Sequence, residues 1–325
     1  MKKALSIFCL ISLLMSFILL PFFTEERKVE LSKNDYKAIL RIWHIDTFEG
    51  GTGSRASFLK SVSTKYTKKH SGVLFLVSNF TEETAKAKIE NGELPDLISF
   101  GACSINVFNK LVCLQTTSVK DGGEYAGKRY LSAWCKGGYF LIKKSESSEE
   151  KLIISQGQNN LSTVSACIEK LTAKTVEIKE PLEAYSSFLS SSNACLLGTQ
   201  RDIVRLNSKG VSFTATPLTK FSDLYQYIGV TSTNETKRFY ALSFIDFLLS
   251  ESVQKTLVNV KMLSPNVKGL YSENEHFTAL ENASATYTIS PFLLKSEIND
   301  IKNKAKEQIL SQNFNDDLLK FLKQL

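Results

Sequence analysis

At 325 residues the chain exceeds the ~100–200 residues of one ordinary domain, so two lobes with room for proper cores are expected and a disulfide-stapled mini-fold is excluded. Its 43% apolar and 22% charged residues, with 6 Pro and 16 Gly, carry no collagen, coiled-coil or disordered signature. The formal charge of +7 is spread along the chain without a basic block interleaved with aromatics, which argues against nucleic acid and for a basic surface facing an anionic cell envelope.

The first segment, MKKALSIFCLISLLMSFILLPFF, sets Lys2 and Lys3 ahead of an uncharged run over residues 4–23, about the ~20 residues a spanning helix needs. The run ends Leu-Leu-Pro-Phe-Phe-Thr-Glu-Glu, without the small residues of a cleavage site, and Cys9 follows the bulky Phe8, which does not suit lipid attachment. The expectation is an uncleaved signal/anchor segment over residues 1–24 in the cytoplasmic membrane, with everything after about Glu25 on the extracellular face. A cleaved signal is the alternative. Residues 25–36 read as a charged stalk.

Of six cysteines, Cys9 lies in the membrane segment, leaving Cys103, Cys113, Cys135, Cys167 and Cys195. No C-x-x-C occurs, and His44, His70 and His276 are far apart, so no metal or other cofactor is expected. Buried free thiols are the expectation, with one disulfide such as Cys103 to Cys113 left open.

The elements alternate from residue 38 onward. AILRIWHI (38–45) is a buried strand, and Ser54 caps a helix with Phe58, Leu59, Val62 and Tyr66 on one face. GVLFLV (72–77) is a second strand, TEETAKAKIENG (81–92) a helix ended by Asn-Gly, and DLISF (96–100) a third strand. This β-α-β-α-β order predicts a parallel sheet whose ligands sit beyond the carboxyl ends of the strands, at residues 46–52 and 101–104. A second α/β lobe follows. KLIIS (151–155) is a strand, GQNN (157–160) a turn, LSTVSACIEKL and EAYSSFLSSS are helices, ACLLG (194–198) is a strand, and TQRD (199–202) is a loop opening another helix.

LYQYIGV (224–230) is one more strand. KRFYALSFIDFLLSESVQKTLVNV then reads as two helices broken at Ser250-Glu251-Ser252, with Phe239, Phe244, Phe247, Leu248, Leu257 and Val258 as core. In the tail, Ile298, Ile301, Ala305 and Ile309 share one helical face.

Five segments in this order, IWHIDTFEGGTGSRASFL, NGELPDLISFG, SAWCKGGYFLI, LLGTQRDIVRL and ALSFIDFLLSESVQKTL, resemble the extracytoplasmic solute-binding proteins of ABC importers, especially the extended carbohydrate-binding type. The resemblance spans roughly residues 38–265. It implies an α/β, two-lobed periplasmic-binding-protein-like fold (type II) with hinge-crossing strands, preceded here by the N-terminal membrane segment, and a ligand gripped between the lobes. Residues 37–136 with 225–270 would form lobe 1, 137–224 lobe 2, and 271–325 helices bracing both. The first crossing falls near residues 134–140 and the second near 216–227.

Several chemistries compete for the loop Asp46 to Arg55. His44 and Asp46 fall on one side of their strand, which allows a His–acid pair, yet no G-x-S-x-G elbow or other framed nucleophile accompanies them. GGTGSR matches neither the P-loop nor the dinucleotide fingerprint, but a glycine turn into a helix start offers backbone donors to a hydroxyl, carboxylate or phosphate. A sugar calls for aromatic faces and planar polar groups. The expected ligand-binding set is Asp46, Glu49, Gly50, Gly51, Thr52, Phe100 and Gly101 from lobe 1, Trp134 and Tyr139 from the crossing, and Asn159, Thr199, Arg201 and Asp202 from lobe 2. The expected function is capture of a small polar solute, a sugar or oligosaccharide, for delivery to ABC permease subunits, without catalysis and without a nucleic-acid partner. A ligand-sensing domain and an envelope hydrolase using His44 and Asp46 are the alternatives.

Overall fold

The structure is a computed structural model and describes residues 36–103, 105–114, 123–144, 150–283 and 285–324. The expected anchor over residues 4–23, nearly all of the stalk and Ser104 lie outside the described residues. Among the described residues no helix is long and apolar enough to cross a membrane.

Strand β1 (Ala38–Ile45), helix α1 (Arg55–Lys69), β2 (Val73–Phe80), α2 (Glu82–Glu90) and β3 (Leu97–Phe100) follow the anticipated alternation, with β1 parallel to both β2 and β3. Helix α1 starts where the Ser54 side chain accepts from the Ser57 N–H, and it buries Phe58, Leu59, Val62 and Tyr66 at the spacing of one helical face. Helix α2 is capped by Thr81, carries Glu82 and Glu83 in its first turn, and gives way to Asn91 and Gly92. A two-residue-strand hairpin, β4 (Glu124–Tyr125) and β5 (Lys128–Arg129), precedes β6 (Ser132–Lys136).

Gly137 and Gly138 carry the chain from β6 into β7 (Tyr139–Lys144), which belongs to a different sheet. A side chain at Gly138 would place its Cβ 2.2 Å from the Leu280 side chain, so any larger residue here requires Leu280 to move. The second lobe continues with β8 (Lys151–Ser155), α3 (Ser162–Ile168), β9 (Thr175–Lys179), α4 (Pro181–Ser190), β10 (Ala194–Thr199), α5 (Gln200–Ser208) and β11 (Phe213–Leu218). Its strands lie in the order β11-β7-β10-β8-β9, with β8, β9 and β10 parallel, and β7 antiparallel to β10 and β11. Strands β9 and β11 have no counterpart among the expected elements. Both are edge strands, one carrying charged residues and the other Pro217, so neither shows the apolar run of a buried strand.

After the short β12 (Phe221–Ser222), β13 (Tyr225–Val230) returns to the first sheet, which has the order β2-β1-β3-β13-β6. Strand β13 runs antiparallel to both its neighbours, so each sheet is mixed. The two crossings touch: the Gly137 N–H donates to the Leu224 carbonyl at 2.6 Å. Helix α6 (Glu235–Leu249) stops at Ser250, which also caps α7 (Glu251–Gln254), and a 3-10 turn over Lys255–Val260 follows. Phe244 and Leu248 are core, whereas Phe239 is 66% exposed and does not pack as its spacing suggested.

Leu263 and Lys136 then exchange two backbone hydrogen bonds of 2.9 and 3.0 Å, making a third passage alongside the first. Helix α8 (Glu275–Asn282) packs on β11, and β14 (Tyr287–Thr288) pairs with β12. Helix α9 (Lys295–Ser311) lays its buried Ile298, Ile301, Ala305 and Ile309 along the face that meets α3, and α10 (Asp317–Gln324) ends the described chain. Cys103, Cys113, Cys135, Cys167 and Cys195 form no disulfide among the described residues, so the Cys103 to Cys113 bridge left open above is not made. Burial pushes the Cys135 thiol up to about 12 and the Cys167 thiol to about 11, which keeps both protonated and unreactive.

Candidate functional site

A cleft of about 670 Å³ opens where residues 46–55 of the first lobe face residues 157–160, Arg201 and Arg205 of the second. It lies beyond the carboxyl ends of β1, β8 and β10, where open α/β sheets place their ligands. Its volume falls within the ~300–1,000 Å³ of small-molecule sites.

The loop from Asp46 to Ser54 is held from behind. The Thr52 N–H donates to the Val260 carbonyl at 2.8 Å, and Gly51 sits at φ +65° with its missing Cβ only 2.1 Å from that same oxygen. Any side chain at Gly51 would be strained and would push the loop off its support.

Beneath the loop lies a buried polar chain. His44 is fully buried, and its two ring nitrogens lie 3.0 Å from Asp46 Oδ1 and 3.2 Å from Ser99 Oγ. Burial lowers the His44 pKa despite the neighbouring carboxylate, so the ring is neutral: Nε2–H donates to Asp46 and Nδ1 accepts from Ser99. Ser99 Oγ in turn accepts from Trp134 Nε1–H at 3.0 Å and from Gln226 Nε2 at 3.3 Å. Arg55 closes the other side. Its Nε donates to Asp46 Oδ1 at 2.9 Å, its Nη2 lies 2.8 Å from the same oxygen, and its guanidinium covers the Phe48 ring at 4.1 Å. Partial burial pushes the Asp46 pKa upward, but the His44 hydrogen bond and the Arg55 charge outweigh it and hold the carboxyl well below its usual range. With both ring nitrogens engaged, His44 orients Asp46 and leaves no nitrogen to serve as a general base.

Three contacts span the cleft. Glu49 Oε1 meets Arg201 Nη1 at 3.1 Å, Asn159 Nδ2 donates to Glu82 Oε2 at 2.8 Å, and Gln158 Nε2 reaches Glu83 Oε1 at 3.4 Å. The loop at residues 157–158 is also held by Lys302 of α9, which donates to the Gly157 carbonyl at 3.3 Å and to the Gln158 carbonyl.

Of the expected ligand-binding residues, Asp46, Glu49, Gly50, Gly51, Thr52, Asn159 and Arg201 come together on the cleft wall. Phe100, Gly101, Trp134, Tyr139, Thr199 and Asp202 do not line it. Phe100 and Trp134 are fully buried, and Trp134 stacks on Phe58 at 5.6 Å below the loop. Gly101 is packed against Thr47 and the Tyr225 carbonyl. Tyr139 donates to the buried Asp223 at 3.0 Å. Thr199 and Asp202 form the capping box of α5: Thr199 N–H donates to Asp202 Oδ2 at 2.9 Å. Burial pushes Asp202 up to about 6, opposed by the Thr199 N–H and Arg205, while Arg201 forms its ion pair across the cleft with Glu49.

Thr47, Phe48, Gly53, Ser54, Arg55, Gly157, Gln158, Asn160 and Arg205 also line the cleft and are not in the expected set. Arg205 was legible in principle, four residues after Arg201 on the same helix face. Arg55, first residue of the helix that Ser54 caps, was the other available signal.

No family model matches the chain, and no curated protein does. Solved structures do. The sugar-binding protein MalE from Xanthomonas citri superposes with a TM-score of 0.61 at 10% identity, covering 88% of this chain and 96% of its own. The fold is that of the maltodextrin-binding proteins. MalE from Bdellovibrio bacteriovorus, bound to maltotriose, gives a TM-score of 0.55 at 12% identity over 88% of this chain and 99% of that one. The cyclic alpha-maltosyl-1,6-maltose binding protein from Arthrobacter globiformis gives 0.57 at 11% identity, over 88% and 97%. These sugar- and maltodextrin-binding neighbours share with this chain a two-lobed α/β architecture built on two mixed sheets.

Proposed function

We propose that this chain is the extracellular solute-binding component of an ABC importer, which takes a small polar solute, a sugar or oligosaccharide, between its lobes and hands it to permease subunits. The observation that carries this reading is the cleft itself: polar groups from both lobes converge on one space of small-molecule size, in a fold whose solved relatives include proteins bound to maltotriose and to maltotetraose. Asp46 Oδ1 is occupied by His44 and Arg55, so its other oxygen, with Glu49, supplies acceptors for hydroxyls, while Asn159, Gln158 and the glycine loop supply donors. Residues 4–23 would tether the receptor to the cytoplasmic membrane with the lobes outside. Binding then acts by population shift, because only the closed form gains contacts from both lobes.

A thermal-shift screen of mono- and oligosaccharides, amino acids and small acids tests the reading. A ligand present at about 100 times its Kd stabilises the folded state by roughly 2.7 kcal/mol, which is readily seen. The expected result is a shift with one solute class and no product. Sustained turnover that disappears in His44→Ala would replace the receptor with a hydrolase.

A further inference from the structure

We propose that the solute is acidic: a polyhydroxylated body bearing a carboxylate or phosphate, whose charged group docks on Arg201. This rests on the receptor reading above and names the ligand class of the same cleft. Three observations carry it.

First, among the described residues the cleft offers no open aromatic face. Phe48 is the aromatic among the described lining residues, it is 8% exposed, and the Arg55 guanidinium lies on its ring. Neutral sugars owe much of their hold to stacking on such faces, and the aromatics that could have supplied them, Trp134, Tyr139 and Phe100, are fixed in the core.

Second, the lining is arginine-rich. Arg55, Arg201 and Arg205 line the wall beside Asp46 and Glu49, with Glu82, Glu83 and Asp202 set behind it, so the anion-binding groups that face the space are guanidinium forks, without a net positive charge for the site. A planar guanidinium matches carboxylate and phosphate in two-point geometry. Helix α1, 15 residues long, also starts at the cleft with no acid in its first turn. Arg55, 5% exposed, has its Nη1 without a hydrogen-bond partner among the described residues.

Third, the Glu49–Arg201 pair already shows Arg201 holding a carboxylate across the cleft, with both side chains over 40% exposed. Exposed pairs of this kind are weak. An acid group on the solute can therefore take the place of Glu49 on Arg201 and free Glu49 to accept from solute hydroxyls. The cleft is far larger than an inorganic oxyanion requires, and Asp46, Asn159 and Gln158 in its lining suit a hydroxylated body.

The test uses the full chain in detergent at low salt, with maltotriose, tri-galacturonate, glucose 6-phosphate and inorganic phosphate as probes, read by calorimetry and thermal shift. The expected result is binding of tri-galacturonate or glucose 6-phosphate, the two arms separating a carboxylate from a phosphate source. Arg201→Gln should weaken that binding by about 10- to 100-fold, the usual size of a lost charge-assisted hydrogen bond, and Glu49→Gln should tighten it. Binding of maltotriose alone overturns the acidic class and leaves the receptor reading standing. Binding of inorganic phosphate as tight as that of glucose 6-phosphate overturns the hydroxylated body. Acidic-sugar binding indifferent to Arg201→Gln overturns the docking residue, and no binding by any probe to a folded protein overturns the proposal for this cleft.

Discussion

Asp223 sits where the second crossing meets the first and the start of α3, 3% exposed, with Oδ2 accepting from Leu161 N–H at 2.8 Å and from Tyr139 Oη at 3.0 Å. Its Oδ1 has no hydrogen-bond partner among the described residues. Burial pushes its carboxyl up to about 7 from the ordinary 3.8, against the pull of the Leu161 and Tyr139 hydrogen bonds and of the Lys302 charge. A folded pKa above the unfolded one means the native state prefers the protonated acid, so stability falls as pH rises from about 4 to about 7 and stays lower above that. Asp223→Asn mimics the neutral acid. Urea denaturation should give equal stabilities near pH 4 and a variant more stable than wild type at pH 8, by roughly 2–4 kcal/mol. A gap that does not change with pH would mean that Asp223 is not the group responsible.

The Gly137-Gly138 link decides how closely the first crossing packs, because α8 leans Leu280 onto Gly138 and Gln200 reaches the Gly138 N–H at 3.0 Å. Gly138→Ala should destabilise the protein by about 1–3 kcal/mol, the usual cost of an overpacked site. The penalty should shrink in a Leu280→Ala background if the clash is its cause; additive effects in urea melts would point to the backbone instead. Most helices and strands could be read from their own residues. Ser54 and Thr81 cap the helices they precede, Ser250 ends α6, and the apolar faces of α1 and α9 are buried as spaced. Strands β9 and β11 could not be read this way, since an edge strand needs apolar residues on one face at most and its pairing partner lies elsewhere in the chain.

Three passages of the chain, at Gly137, at Leu224 and at Leu263, join the two sheets, and the contacts across the cleft are few and mostly exposed. Each exposed pair contributes at most about 1 kcal/mol, so in the proposed receptor a ligand touching both lobes would add contacts of comparable or greater weight. Small-angle scattering should show a smaller radius of gyration with bound solute than without it, and binding without compaction would argue against closure as the signal to a permease. The α/β alternation and the position of the cleft loop after β1 were determined by the sequence alone, because strand period, helix face and caps are written in residues a few positions apart. Which side chains reach the cleft was decided by the tertiary structure. Arg201 forms its ion pair across the cleft with Glu49 while Asp202 caps the helix, and Trp134 lies under the loop because its indole N–H is held by Ser99 and its ring by Phe58. Partners so far apart in the chain meet only when both sheets and their crossings are in place, so no local pattern records them.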